Sequence, residues 1–241
     1  MSSTRSAVAA LAALAVLFAA CGGSGDEQTV SNVDLGPGLV VDGDPGELGT
    51  DGDTARNAAD IDSVVMIGDS ITKGSRAAIE ERFDRLGLDP VTVEAENGKR
   101  MVISAPGNPG GSTIAEIVTE LADGDHDDEL WVVALGTNDI GNYDQPDELA
   151  AAVNEVLGAV PDEAPLVWVD TYFRDRPEQQ ELVNSIIRAR VERRGNSVIA
   201  PWSAFATGEG VMTGDGVHPT PAGTEVFAFV VTDTARAFLG R

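Results

Sequence analysis

The stretch Ser63-Val-Val-Met-Ile-Gly-Asp-Ser-Ile-Thr72 joins a short apolar run to a polar turn, and it decides the expected fold. Val64 to Ile67 are uniformly apolar and mostly β-branched, which predicts a strand that is buried on both faces of a parallel sheet. Gly68 permits a sharp turn, and Ser70 then lies where the strand gives way to a helix. This arrangement places the Ser70 hydroxyl at the carboxyl edge of the sheet, where open α/β folds bind their ligands. We expect the first N–H groups of the helix to lie beside it, as a nucleophile that generates an oxyanion requires.

From residue 61 onward, the sequence alternates between strand patterns and helix patterns. Such alternation predicts a parallel sheet that is covered by helices on both faces. The fold class is therefore α/β, a three-layer α/β/α sandwich of flavodoxin-like type around a central five-stranded parallel sheet. The expected strands are residues 63–67, 91–95, 130–135, 165–170 and 196–199. The expected helices are residues 74–87, 112–123, 146–159, 177–193 and 221–239, and the fourth of them opens with Pro177 and ends at Gly195.

Residues 1–20 have the features of a secretory signal. Arg5 is the only charged residue before an apolar run over residues 7–20, which is too short to span a bilayer comfortably. Phe18-Ala-Ala-Cys21 resembles the lipobox of bacterial lipoproteins, in which the cysteine is lipidated and becomes the mature N-terminus. Phe18 stands where leucine is usual, and ordinary cleavage that leaves a free secreted protein is the alternative. We favour a lipoprotein, because the only cysteine of the chain falls where a lipobox needs one.

Residues 21–60 have the composition of a disordered tether. From Gly22 to Asp60 there are nine glycines, nine acidic residues, one arginine and no aromatic residue. Such a segment cannot bury enough apolar surface to offset its chain entropy. Two Asp-Gly-Asp triplets, at 42–44 and 51–53, suggest calcium ligands, but neither has the spacing or the distal glutamate of an EF-hand loop. The domain organisation predicted is thus a signal over 1–20, a tether over 21–60 and one folded domain over 61–241.

The net charge of −24 limits the classes of partner. It argues against nucleic-acid binding, which needs clustered lysine and arginine, and against electrostatic attachment to anionic lipid. Membrane association is then expected only through a lipid anchor on Cys21. We expect the protein on the outer face of the bacterial cell membrane, or elsewhere in the cell envelope.

The chain has only two histidines, the natural general bases near neutral pH. His126 lies in a strongly acidic segment and is expected to be a solvated surface residue. His218 lies in Gly214-Asp-Gly-Val-His-Pro-Thr220, where Asp215 can accept the imidazole Nδ1–H, hold the tautomer and stabilise the imidazolium. The alternative is that His218 is a loop histidine that only caps the last helix.

A third candidate side chain follows the strand that begins near Trp131. This apolar run ends in Gly136 and delivers Asn138 to the same edge of the sheet as Ser70. A side-chain amide in that place can donate a hydrogen bond to a developing oxyanion. The alternative is that Asn138 only caps the next helix or turn.

Together these motifs resemble those of the SGNH hydrolase superfamily, also called GDSL esterases, over about residues 61–240. The first, third and last motifs of that family are matched by Gly68-Asp-Ser70, by Gly136-Thr-Asn138-Asp139 and by Asp215-Gly-Val-His218-Pro. The second motif supplies a glycine N–H to the oxyanion hole, and it has two candidates. Gly98, in Asn-Gly-Lys-Arg, is similar to the arylesterase branch, and Gly111, in Gly-Gly-Ser-Thr, is similar to thioesterase relatives. We favour Gly98 because it directly follows the second expected strand.

The resemblance implies a serine esterase. Ser70 would attack an ester carbonyl, while His218 removes its proton and Asp215 orients the imidazole. The N–H groups of Ser70 and Gly98, with the amide of Asn138, would hold the oxyanion. No cofactor is expected and no metal site, since one cysteine and two distant histidines cannot make a zinc site. The expected substrate is a short-chain, acetyl-type ester of a small molecule or a glycan. An O-acyltransferase, and an inactive surface lipoprotein that binds a glycan or a partner, stay open.

Overall fold

A five-stranded parallel sheet forms the centre of the fold. The computed structural model describes residues 61–102 and 129–241. In the order β2-β1-β3-β4-β5, every neighbouring pair of strands is parallel. The strands are β1 (Ser63–Gly68), β2 (Val91–Ala95), β3 (Glu129–Ala134), β4 (Leu166–Val169) and β5 (Ser197–Ala200). This sheet confirms the predicted α/β class and the predicted number of strands.

Helices follow the strands along the described part of the chain. They are α1 (Ser70–Arg85), α2 (Pro146–Ala159), α3 (Pro177–Arg194), α4 (Trp202–Phe205) and α5 (Pro221–Phe238), with a 3-10 helix at Thr137–Asp139. None of these helices combines the length and the apolar character that crossing a lipid bilayer would require.

The two faces of the sheet bury separate apolar clusters. From β1, Val64 and Met66 belong to the cluster that contains Phe83 of α1 and Phe227 of α5. The alternate β1 residues, Val65 and Ile67, belong to the second cluster, with side chains from α2 and α3. A strand with both faces covered needs apolar side chains at every position, and the uniform run before Gly68 meets that need. The three-layer arrangement therefore follows from the apolar run at residues 64–67.

The predicted elements agree with the structure to within two residues at their ends, with one correction and one gap. The correction is the start of α1, which lies at Ser70 rather than at residue 74. The side chain of Asp69 causes it, because it accepts the N–H of Ile71 at 2.9 Å and caps the helix directly after the strand. The predicted α3 is confirmed with Pro177 in its first turn and Gly195 as its C-cap. The helix predicted at 112–123 lies outside the described residues.

Candidate active site

Ser70 lies at the corner between β1 and α1, at the carboxyl edge of the sheet. A Cβ atom at Gly68 would lie 2.0 Å from Thr72 Oγ1, so the corner closes only around a residue without a side chain. Ser70 is the first residue of α1, and its N–H belongs to the first turn, whose donors have no acceptor within the helix. The strand, the glycine corner and the Asp69 cap therefore fix the position of this hydroxyl.

The structure brings the predicted nucleophile, base and acid together. Ser70 Oγ lies 2.9 Å from His218 Nε2, across 148 positions of sequence. His218 Nδ1 lies 2.8 Å from Asp215 Oδ2. With the Nδ1–H donated to Asp215, Nε2 is the acceptor that faces the serine hydroxyl. The three side chains form one continuous series of hydrogen bonds.

Asp215 and His218 lie on a tight loop between α4 and α5. The loop is closed by the N–H of Thr213, which donates to the carbonyl oxygen of His218 at 2.8 Å. Asp215 Oδ1 accepts the backbone N–H groups of His218 and Val217, at 3.0 and 2.9 Å. These two donors, with the imidazole of His218 and the Thr213 hydroxyl, hold the pKa of Asp215 well below its usual value. The carboxylate is therefore ionised at neutral pH, as a group that stabilises an imidazolium must be.

Asn138 lies in the 3-10 helix after β3, at the same edge of the sheet. Its Nδ2 donates to Asp69 Oδ2 at 3.0 Å and to the carbonyl oxygen of Lys99 at 3.1 Å. The amide therefore links the residue before Ser70 to the segment after β2, rather than capping a following helix. These two bonds use both N–H groups of the amide, so its predicted role as a donor to an oxyanion requires one of them to be exchanged.

Gly98 lies in the turn that follows β2, the strand next to β1. Its φ of 72° is in the left-handed region that favours glycine. The 3-10 helix holds this segment at two points, since Asp139 Oδ2 accepts the N–H of Met101 at 3.2 Å and Asn138 bonds to Lys99. Gly98 as an oxyanion donor stays a prediction. The competing Gly111, the predicted surface residue His126 and the predicted lipidation site Cys21 all lie outside the described residues.

Two buried carboxyl groups lie close to this site, and the sequence analysis assigned neither a role. Asp69 and Asp139 are each 1% exposed. Burial raises the pKa of Asp69 to about 7 and that of Asp139 to about 6. Asp139 also accepts the hydroxyl of Tyr143 at 3.1 Å. The signal for Asp69 was present, because an aspartate directly before a helix is a common N-cap.

No group of three or more His, Cys, Asp and Glu side chains in the described part of the chain is arranged to hold a metal ion. The reactive groups of the site are a hydroxyl, an imidazole and carboxylates. An α/β/α sandwich with these groups in series at the strand ends has the parts that acyl transfer to a serine requires.

The chain belongs to the family of GDSL-like lipases and acylhydrolases, whose sequence model matches residues 66–226. This range includes Ser70, Asn138, Asp215 and His218. Membership in the family makes this protein an ester-acting hydrolase. No curated protein sequence matches the chain.

Several solved structures share the fold at low sequence identity. The C-terminal catalytic domain of peptidoglycan O-acetyltransferase A from Streptococcus pneumoniae is 19% identical, with a TM-score of 0.52 over 74% of this chain and 93% of that one. A carbohydrate esterase of family 3 from Talaromyces cellulolyticus is 20% identical, with a TM-score of 0.56 over 74% and 98%. A carbohydrate acetylesterase from Sinorhizobium meliloti is 17% identical, with a TM-score of 0.53 over 73% and 98%.

Proposed function

We propose that this protein is a serine esterase that hydrolyses short-chain, acetyl-type carboxylic esters through an acyl-serine intermediate. The observation that carries the proposal is the unbroken series of hydrogen bonds from Ser70 Oγ to His218 Nε2, at 2.9 Å, and from His218 Nδ1 to Asp215, at 2.8 Å. A serine hydroxyl is a weak nucleophile unless a base removes its proton. His218 is within reach of that proton, and Asp215 is ionised and holds the imidazole.

In the acylation step, Ser70 Oγ attacks the ester carbonyl carbon while His218 Nε2 takes the hydroxyl proton. The resulting oxyanion accepts hydrogen bonds from the N–H groups of Ser70 and Gly98. The Asn138 amide joins them when one of its two N–H groups, which donate to Asp69 and to the carbonyl oxygen of Lys99, turns to the oxyanion. His218 then gives its proton to the leaving alkoxide, so that the alcohol departs and the acyl group stays on Ser70. Water attacks this acyl-serine with His218 again as the base, which releases the acid and restores the serine.

The proposed substrates are acetyl esters of carbohydrates or of cell-wall glycans. Within the described residues the site is open at its base and acid, since the side chains of His218 and Asp215 are 49% and 52% exposed. An open site lets an ester on a bulky polymer reach Ser70 without entering a deep pocket. The fold is shared with a carbohydrate acetylesterase and with a peptidoglycan O-acetyltransferase domain, which makes acetylated glycan the first substrate class to test.

Acyl transfer to a second hydroxyl is the alternative reaction at the same residues. The half-exposed imidazole of His218 can deprotonate a sugar hydroxyl as readily as a water molecule. Incubation with an acetyl donor and an added glycan distinguishes the two reactions. Release of free acetate supports the esterase, and acetylated glycan supports the acyltransferase. A surface lipoprotein that binds a glycan without turnover would give neither product.

We further propose that the protein is exported and anchored by a lipid on Cys21, on the outer face of the cell membrane or in the cell envelope. The support is the apolar run of residues 7–20 followed by the only cysteine of the chain. Metabolic labelling with a fatty-acid probe should mark the wild-type protein and leave a Cys21→Ala variant unmarked. Equal labelling of the two proteins would contradict the anchor.

The proposed reaction is tested with 4-nitrophenyl acetate and a Ser70→Ala variant. We expect the variant to lose at least roughly 10³-fold in kcat/KM, because it keeps the base and acid but has no nucleophile. Ser185→Ala is the matched control, since this exposed α3 serine only donates to the carbonyl oxygen of Leu182. Equal rates for wild type and Ser70→Ala would refute the proposal.

A further inference from the structure

The loop between β4 and α3 contacts the loop that carries Asp215 and His218. Its central contact residue is Arg174. The backbone N–H of Arg174 donates to the carbonyl oxygen of Gly216 at 3.0 Å. Its guanidinium donates to the carbonyl oxygen of Thr213 at 3.2 Å and lies 3.5 Å from that of Gly214. One residue thus contacts the loop at three carbonyl groups around Asp215.

The loop over 213–218 needs such support from outside. Its internal hydrogen bonds, from Thr213 to His218 and from His218 and Val217 to Asp215, fix its shape. They do not fix its distance from Ser70, which lies on another element. The side chains of Asp215 and His218 are about half exposed, so burial in the core does not hold them either. The position of the base therefore depends on contacts with neighbouring elements.

The loop that carries Arg174 is itself firmly attached to α3. Thr171 donates its N–H to Asn184 Oδ1 at 2.8 Å, and Asn184 Nδ2 donates to the carbonyl oxygen of Thr171 at 2.9 Å. Both residues are buried. Two residues further along, Phe173 donates its N–H to Gln180 Oε1 at 2.8 Å. Arg174 therefore extends from a backbone that is fixed immediately before it.

The glycine after Asp215 permits this contact. Gly216 has a φ of +71°, and a Cβ atom there would lie 2.6 Å from Arg174 Cβ. The side chain of Arg174 lies too close to the Gly216 backbone for a side chain at 216. The Gly in Asp215-Gly-Val-His218 thus has a packing role toward Arg174 in addition to its role in the turn.

We propose that Arg174 is a positioning residue that holds the Asp215–His218 loop within hydrogen-bonding distance of Ser70. This inference rests on the proposed esterase function. Arg174 acts on the reaction through the loop and not by contact with the ester. A small displacement of a base reduces the fraction of molecules that are aligned for proton transfer, and so it lowers kcat more than it changes KM.

The test compares Arg174→Ala, Arg174→Lys and the control Arg188→Ala with wild type on 4-nitrophenyl acetate, a neutral substrate. Arg188 is an exposed arginine on α3 that pairs with Glu181. We expect Arg174→Ala to lower kcat about tenfold, the effect of losing hydrogen bonds from a charged donor, with KM within about twofold of wild type. Arg174→Lys keeps the charge and a donor, and should recover part of that loss. Arg188→Ala should match wild type.

A second readout does not depend on turnover. The hydrogen bond between His218 Nδ1 and Asp215 lies within the loop, so the NMR signal of that proton should persist in Arg174→Ala, while the rate at which a fluorophosphonate labels Ser70 falls about tenfold. An unchanged kcat in Arg174→Ala, a change in KM alone, or a kcat for Arg174→Lys no better than that of Arg174→Ala would overturn the inference. If wild type is active and Ser70→Ala is not, the proposed function stands in each of these cases. Equal rates for wild type and Ser70→Ala would instead refute the proposed esterase function.

Discussion

Asp69 and Asp215 are the same residue type, both lie within the candidate site, and their environments are opposite. Asp69 is 1% exposed, and burial raises its pKa to about 7. The Asp215 side chain is 52% exposed, and backbone N–H donors from His218 and Val217 lower its pKa. Loss of solvent decides the first pKa, and hydrogen bonds to the charged form decide the second. The residue type alone therefore predicts neither charge state.

The same contrast separates the two halves of the site. The half with Ser70 is held by the core, through β1, the Gly68 corner and the Asp69 cap. The half with His218 is held by hydrogen bonds in an exposed loop and by Arg174. We therefore expect changes in the first half to reduce stability, and changes in the second half to reduce activity with little effect on stability.

The largest expected effect is a loss of activity when Asp215, in the exposed half of the site, is changed. Asp215→Asn should lower kcat/KM on 4-nitrophenyl acetate by about a hundredfold or more, because a neutral amide neither stabilises the imidazolium nor fixes the Nδ1–H tautomer. The melting temperature should fall only modestly, because the amide oxygen can still accept the N–H groups of His218 and Val217. Asp84→Asn, at an exposed position near the end of α1, is the matched control and should keep full activity. A large drop in melting temperature with normal activity would reverse the proposed contrast.

The second prediction concerns the buried half. Gly68→Ala places a Cβ against the fully buried Thr72 and should lower the free energy of unfolding by about 2 kcal/mol or more. Gly74→Ala, on the same helix, has no heavy atom within 4 Å of its new Cβ. It should raise the free energy of unfolding by about 0.5–1 kcal/mol, since glycine is unfavourable within a helix. Denaturant titration measures both. Equal stabilities for the two variants would contradict the close contact between position 68 and Thr72.

The third prediction is a pH dependence of stability. The pKa of Asp69 is higher in the folded state than its ordinary value of 3.8. Between about pH 4 and pH 7, the folded protein therefore binds more protons at this group than the unfolded chain does, and stability falls as the pH rises. The contribution of one such group is at most about 1.4 kcal/mol per pH unit.

Asp69→Asn should flatten that pH dependence, because the amide does not titrate. Asp139 changes stability in the same direction up to about pH 6 in both proteins. Its charge also raises the pKa of Asp69, so the difference between the two slopes includes this interaction. Denaturant unfolding at pH 5, 6 and 7 measures the two slopes. Parallel slopes for wild type and Asp69→Asn would show that Asp69 does not titrate in this range.

The sequence predicted the inner strands well because residues 64–67, 130–135 and 166–169 are apolar runs that are followed by glycine or a polar residue. It predicted the meeting of Ser70 and His218 through the resemblance of the Asp215-Gly-Val-His218 motif, because His218 lies in a loop after α4 and does not directly follow a strand. It did not predict the start of α1 at Ser70. Ile71, Thr72 and Gly74 are poor helix formers, and the Asp69 cap overrides them.

Contacts that depend only on the tertiary structure could not be predicted from the sequence. Nothing in Asp170-Thr-Tyr-Phe-Arg-Asp-Arg176 distinguishes an arginine that contacts the catalytic loop from one that is solvated. Likewise, the position of Asn138 was predictable from the end of β3, but its acceptors, Asp69 and the carbonyl of Lys99, were not. They belong to segments that meet only when the sheet has formed.

The most direct test of the central claim is covalent labelling with a fluorophosphonate, followed by mass spectrometry of the peptides. The claim is that His218 makes Ser70 a nucleophile. We expect one adduct in wild type, on Ser70, and labelling that is about a hundredfold slower or more in His218→Asn. No adduct on Ser70 in wild type, or equal rates in wild type and His218→Asn, would contradict the claim.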